Sequence, residues 1–164
     1  MALISVAEAL EHVLAHAVPL GSEDVPLTEA DGRVLAADLL SRRTQPPADV
    51  SAMDGYAVRA GDVASAPVKL KVIGEVPAGK PFRAKVGPGE AARIFTGGFV
   101  PEGADVVVIQ EHTKRDGDIV EVEKSTVVGR NVRRQGLDFK AGEKLFTKGH
   151  RLNARDLALV AGMN

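Results

Sequence analysis

RIFTGGFVPEGADVVVIQE, residues 93–111, closes on Val106-Val107-Val108-Ile109. Four β-branched residues in series suit a strand covered on both faces, not one wetted along one side. Gly97-Gly98, Pro101 and Gly103 punctuate the chain before that run too densely for a helix. Earlier in the chain, Val68-Lys69-Leu70-Lys71-Val72 alternates apolar and charged residues with the period of a half-buried strand. Tyr56 to Val58 begins another strand behind the turn dipeptide Asp54-Gly55. Later, Asp116-Gly117-Asp118 leads into Ile119–Val122 and predicts a hairpin. Seventeen Gly, nine Pro and a Val-rich, aromatic-poor apolar set extend the same pattern from about Thr44 to Glu143. Strands separated by turns in this way predict a small β-barrel or sandwich, not a doubly wound sheet.

The two flanks read differently. Residues 5–17 predict a helix, with Ser5 as cap and Glu8 completing a capping box. Val6, Leu10, Val13, Leu14 and Ala17 fall on one face of it. Thr28 is expected to cap a short second helix ended by Gly32, after which Val34 to Leu40 reads as extended. Asn153 predicts the cap of a last helix, with Asp156 as its third residue and Gly162 as its stop. The expected layout is a body of residues 1–43 plus 144–164 with an inserted β domain over 44–143.

The length of 164 residues allows one sizeable domain or two small ones. Cysteine is absent, which removes disulfides, thiolate metal sites and cysteine nucleophiles, and fits a reducing cytoplasm. A net charge of −1 and 4% aromatics argue against nucleic-acid binding. No apolar run approaches the ~20 residues of a membrane span, and the first residues lack a signal-peptide pattern. The expected location is the cytoplasm, with neither membrane nor nucleic acid as partner.

Three segments carry groups fit for chemistry. Pro46 to Val58 offers Asp54 at a strand edge, or, in the plainer reading, an Asx turn in which Asp54 bonds its own backbone. Arg93 to Glu111 offers the Thr96 hydroxyl beside Gly97 and Gly98, whose amides can approach an anion. Gly129 to Phe139 places Arg130, Arg133 and Arg134 near Asp138; the acid can meet a backbone turn, an arginine or a cation. Carboxylates, a hydroxyl and a basic patch suit Mg²⁺ with an anionic substrate. They do not suit zinc: His12 and His16 lie opposite the apolar stripe on a solvated face, and His112 and His150 stand alone. Lys69, Lys71, Lys140, Lys144 and Lys148 read as solvated charge. No nucleophile elbow, Walker sequence or dinucleotide fingerprint is present.

These segments resemble the MoeA family, which includes the E domain of gephyrin. The resemblance rests on SAMDGYAV (51–58), RIFTGGFVPEGADVVVIQE (93–111) and NVRRQGLDF (131–139), supported by SVAEAL (5–10) and LTEADGRVLAADL (27–39). It implies a mixed, mostly β fold: an elongated β body with flanking helices and an inserted β-barrel-like domain. It implies the insertion of molybdate into adenylylated molybdopterin with release of AMP, assisted by Mg²⁺. It implies a homodimer whose cleft lies between this region and the α/β domain of a partner subunit. By the same resemblance Asp54, Thr96 and Asp138 are the catalytic candidates, with Asp54 and Asp138 toward the metal. Gly97, Gly98, Glu111 and Arg134 are candidates for substrate binding.

Residues 150–164, HRLNARDLALVAGMN, correspond to the stretch before the family's pterin-binding α/β domain. The chain is therefore expected to be inactive alone. A non-catalytic assembly or dimerisation module is the alternative. A generic Mg²⁺-dependent phosphohydrolase would require a closed pocket within these residues.

Overall fold

The structure, a computed structural model, describes residues 3–18 and 20–163. In chain order the elements are α1 (Val6–Leu14), β1 (Leu39–Leu40), β2 (Val50–Ser51), β3 (Gly55–Val58), β4 (Val68–Val76), β5 (Glu90–Ile94), β6 (Val106–Ile109), β7 (Thr113–Asp116), β8 (Ile119–Val122), β9 (Val132–Arg133), β10 (Lys144–Phe146) and α2 (Ala154–Met163). The fold is mostly β, as the pattern of short strands predicted.

One six-stranded sheet in the order β6-β3-β5-β4-β8-β7 dominates and curls into a half-barrel. Every neighbouring pair in it is antiparallel except β4 and β5, which run parallel. The valine run explains itself here. Val106 and Val108 pack with Tyr56, Val58, Leu70, Val72, Val120 and Val122 on one face. Val107 packs with Ala57, Val76, Val86, Ala92 and Ile94 on the other. Because successive strand side chains point to opposite faces, a strand between two apolar layers must be apolar at every position. β4 shows the complementary case: Lys69 and Lys71 stay exposed while Leu70 and Val72 are buried. The Asp116–Ile119 hairpin forms around Gly117, at φ 56°, a left-handed value open to glycine.

The chain's two flanks meet. β1 pairs with β10, Val34 bridges Arg151, and the Arg42 amide donates to the Met163 carbonyl at 3.2 Å. α2 is capped as expected: Asn153 Oδ1 accepts from the amides of Arg155 at 2.9 Å and Asp156 at 3.2 Å. It does not stop at Gly162 but runs to Met163, whose burial adds packing that the local sequence does not reveal. α1 has the predicted capping box: the Glu8 amide donates to Ser5 Oγ and the Ser5 amide to Glu8 Oε2. The helix ends at Leu14, short of the expected Ala17, and buries none of its residues. Its stripe of Val6, Leu10, Val13 and Leu14 faces solvent. Thr28 caps nothing; it lies inside a 3₁₀ turn, Leu27–Glu29, entered from Pro26. Three residues are too few for a helix that would present orphan amides to a cap. Among the described residues, no helix is long and apolar enough to cross a membrane.

Candidate functional site

The three motif segments, far apart in sequence, form one ribbon. The chain around β2 lies in the middle. On one side Val50 bridges Phe99, the Ser51 amide donates to the Gly98 carbonyl at 2.9 Å, and the Gly97 amide donates to the Ser51 carbonyl at 2.9 Å. On the other, Val50 and Ser51 pair with Arg133 and Val132 of β9, and the Ala52 amide donates to the Asn131 carbonyl at 2.9 Å. Ser51 is buried, and its hydroxyl donates to the Met53 carbonyl at 2.6 Å, shaping the turn into Asp54.

Asp54 then stands where β3 begins and β5 and β6 end, since Gly55 pairs with both Ile94 and Ile109. Its carboxylate does not close an Asx turn on its own backbone. Oδ1 accepts from the Thr96 amide at 2.7 Å and from the Thr96 hydroxyl at 2.8 Å. The Thr96 amide, then its hydroxyl, and more distantly the Arg93 charge hold the Asp54 carboxyl below its ordinary range, against a smaller opposing effect of burial. Asp54 is therefore ionised at neutral pH. Its second oxygen, Oδ2, has no hydrogen-bond partner among the described residues.

Several of these groups have partners within the chain. The Thr96 hydroxyl has one proton, and it goes to Asp54. Thr96 therefore orients a carboxylate here. The Gly97 and Gly98 amides are also engaged, with the carbonyls of Ser51 at 2.9 Å and Phe95 at 2.8 Å. Gly97, at φ 81°, makes the turn, and a Cβ on Gly98 would stand 2.8 Å from the Val76 carbonyl oxygen. Both glycines serve close packing of this turn.

Asp138 is exposed, and both its oxygens accept from Arg133 Nη2 at 2.8 Å. Arg134 pairs with Asp49 at 2.5 Å, while the Gln135 amide donates to the other Asp49 oxygen at 2.8 Å. Arg133 is thereby tied to Asp138 and Arg134 to Asp49, each with further N–H groups left over. Glu111 lies exposed in the 3₁₀ turn Gln110–His112, one residue beyond Gln110, whose amide donates to the Asp54 carbonyl at 3.1 Å. Asp54, Thr96 and the Glu111 turn thus form one cluster, while Asp138 and Arg134, on the segment that follows β9, belong to two separate ion pairs.

Sequence reasoning passed over Asp49, Arg93, Gln110 and Asn131. Asn131 carries a signal in retrospect: its φ of 57° is rare outside glycine but open to asparagine, and its Nδ2 donates to the Val107 carbonyl at 2.8 Å. The partners of Asp49, Arg93 and Gln110 leave no local trace.

Among the described residues no group of three or more His, Cys, Asp or Glu could hold a metal. Mg²⁺ needs fewer protein ligands, because it keeps waters and takes substrate phosphates. The oxygen-only donor set fits it in kind, with Asp54 Oδ2 the one carboxylate oxygen of the predicted pair without a partner. Two open depressions, of about 450 and 870 Å³, lie at Ala48–Phe82–Phe99 and between residues 20–25 and 33–39. None of Asp54, Thr96, Glu111, Arg134 or Asp138 lines either one. Asp54 is half-buried, whereas Thr96, Glu111, Arg134 and Asp138 are exposed.

Residues 4–163 match the family described as the MoeA N-terminal region (domain I and II). The chain is 42% identical over 144 residues to the molybdopterin molybdenumtransferase of a Nostoc species, covering 85% of this chain and 33% of that protein. It is 39% identical over 168 residues to the enzyme of the same name from Synechococcus elongatus, covering 98% of this chain and 42% of that protein. The solved molybdopterin biosynthesis MoeA protein of Pyrococcus horikoshii OT3 superposes with a TM-score of 0.90 at 40% identity, over 99% of this chain and 44% of that one. The chain thus spans less than half the length of these relatives. It belongs to the MoeA family, as that family's N-terminal region.

Proposed function

We propose that this chain supplies the carboxylate-bearing side of a site that inserts molybdate into adenylylated molybdopterin and releases AMP. The observation that carries the reading is the Asp54–Thr96 pair: an ionised carboxylate, oriented by two donors, with one oxygen free at the meeting point of three strand ends. Relatives that share this region bear the name molybdopterin molybdenumtransferase.

In this reading Asp54 Oδ2 would hold Mg²⁺, with Asp138 joining on release from Arg133. A bound cation would neutralise charge on the phosphates and the incoming oxyanion. Asp54 stays charged because Thr96 and Arg93 favour its ionised form. Arg134, with donors beyond those given to Asp49, would bind phosphate oxygens, and its planar fork suits that task. Glu111 follows Gln110, whose amide donates to the Asp54 carbonyl, and in this reading faces the same ligand. Gly97 and Gly98 keep the turn narrow.

Neither depression touches these residues, and in this reading a second surface completes the site. The reading assigns that surface to the family's α/β domain, presented across a homodimer in the cytoplasm, and makes this chain inactive alone. Replacing Asp54 by Asn in this chain, joined to the remaining domains of the Synechococcus elongatus relative, keeps an acceptor for Thr96 and removes the charge. Molybdenum insertion is expected to fall at least a hundredfold, on the order of the loss of one preorganised electrostatic contact. An unchanged rate would remove Asp54 from the reaction. The assembly-module alternative is separated by adding a purified α/β domain to this chain: recovered insertion activity supports the half-site.

A further inference from the structure

Arg93 lies on β5 opposite Tyr56 of β3, and beyond the effect of its charge on Asp54 its hydrogen bonds have so far been given no role. We propose that Arg93 is the positioning residue of the Asp54 site: its guanidinium clamps the start of β3 to the turn after β6, and so holds the Asp54 carboxylate against Thr96. The inference rests on the reading that Asp54 faces the substrate.

The clamp has two arms. Arg93 Nη1 donates to the Gly55 carbonyl at 2.9 Å, immediately after Asp54 in the chain. Nη2 donates to Gln110 Oε1 at 2.8 Å. The Gln110 amide in turn donates to the Asp54 carbonyl at 3.1 Å. The Asp54 backbone is therefore bracketed by two residues, Gly55 and Gln110, that share one planar group. That plane is itself set by aromatic rings, with the Arg93 carbon 4.6 Å from the Phe95 centroid and 5.4 Å from that of Tyr56. Phe95 immediately precedes Thr96, so the ring that orients the guanidinium also sits beside the residue that orients the acid. A fixed fork can satisfy two acceptors at once, which a lysine ammonium on a flexible stem does far less well. Among the described residues Arg93 forms no ion pair, so its charge serves this turn and not a salt bridge elsewhere.

The test is hydrogen exchange of single amides, followed by NMR in this chain. In Arg93→Lys the Thr96 amide is expected to exchange about tenfold faster, the loss of roughly one charge-assisted hydrogen bond. The amides of β8, on the far side of the sheet, are expected to keep their rates. Gln110→Ala removes one arm from an exposed turn without touching the core, and is expected to produce a smaller acceleration at Thr96 alone. If Arg93→Lys fails to fold, Gln110→Ala decides. Unchanged Thr96 exchange in the folded variants, or acceleration that only matches β8, overturns the proposal. This readout needs no substrate, so it separates the clamp from the assignment of Asp54 to molybdenum insertion, which fails or stands on the Asp54→Asn rate.

Discussion

Gly55 follows the candidate acid because β3 enters the sheet there with strands on both sides. A Cβ at this position would stand 2.0 Å from the Val108 carbonyl oxygen, and neither backbone can yield without breaking its ladder. Gly55→Ala is expected to cost about 3 kcal/mol in urea unfolding, at the upper end for overpacking. Gly61→Ala meets nothing within 4 Å and is expected to change stability by less than about 0.5 kcal/mol. An equal midpoint for the two variants would mean that the close approach at Gly55 is not maintained in solution. The sequence shows Asp54-Gly55 as a turn and Thr96-Gly97-Gly98 as another. It does not show that they touch, because the residues joined by the Asp54–Thr96 bond are 42 apart in the chain and those of the Arg134–Asp49 pair 85. Local patterns record how a turn is made, whereas the partner of its side chain depends on which strand ends the sheet brings together. That is why Asp54, Thr96 and Asp138 were legible as candidates, while the engagement of the glycine amides and the arginines was not.

The two helices carry similar caps with different consequences. Substituting a cap by alanine removes about 1 kcal/mol of helix stability. α1 buries nothing, so Ser5→Ala is expected to reduce helical circular dichroism without moving the urea midpoint of the sheet. α2 brings Met163 into contact with the body, at 2% exposure, so Asn153→Ala is expected to lower global stability by about 1 kcal/mol. Acid acts on the same end of α2. The hydrogen bond from His150, and after it the Asn153 amide, hold the Asp156 carboxyl below its ordinary value. A carboxyl depressed in the folded state contributes fully above its unfolded value of about 3.9 and loses that contribution as pH falls through the lower folded value. Thermal stability followed from pH 6 to pH 2 should therefore fall less steeply in Asp156→Asn than in the unsubstituted chain. Caps and the hairpin turn were readable because each lies within a few residues of its partner. β1 falls within the stretch Val34–Leu40 that reads as extended, but the two-residue strands β2 and β9 were not legible, since their support is a partner segment remote in sequence.

The sheet divides the protein's apolar interior into two layers, and this division was partly written in Val106 to Ile109. The sequence announced a strand covered twice. It gave no sign that β4 and β5 run parallel, because that geometry depends on the chain from Pro77 to Gly89 crossing over with Val86 buried beneath it. Adjacent valines of β6 thus report on separate layers. Val106 and Val107 are both fully buried, and each →Ala change is expected to cost about 2 kcal/mol from lost apolar area and an imperfectly closed cavity. Because Val106 packs with the Leu70 layer and Val107 with the Ile94 layer, they share few packing partners. Their double variant is expected to lose the sum, within about 0.5 kcal/mol. Val58 and Val106 make the contrasting pair: they are register partners and belong to the same layer. Removing both opens one joined cavity, so their combined loss should depart from additivity by about 0.5 kcal/mol or more. Urea unfolding of these five variants measures both couplings. If the neighbouring pair on β6 couples as strongly as the cross-strand pair, the interior relaxes as one body and the two-layer description fails.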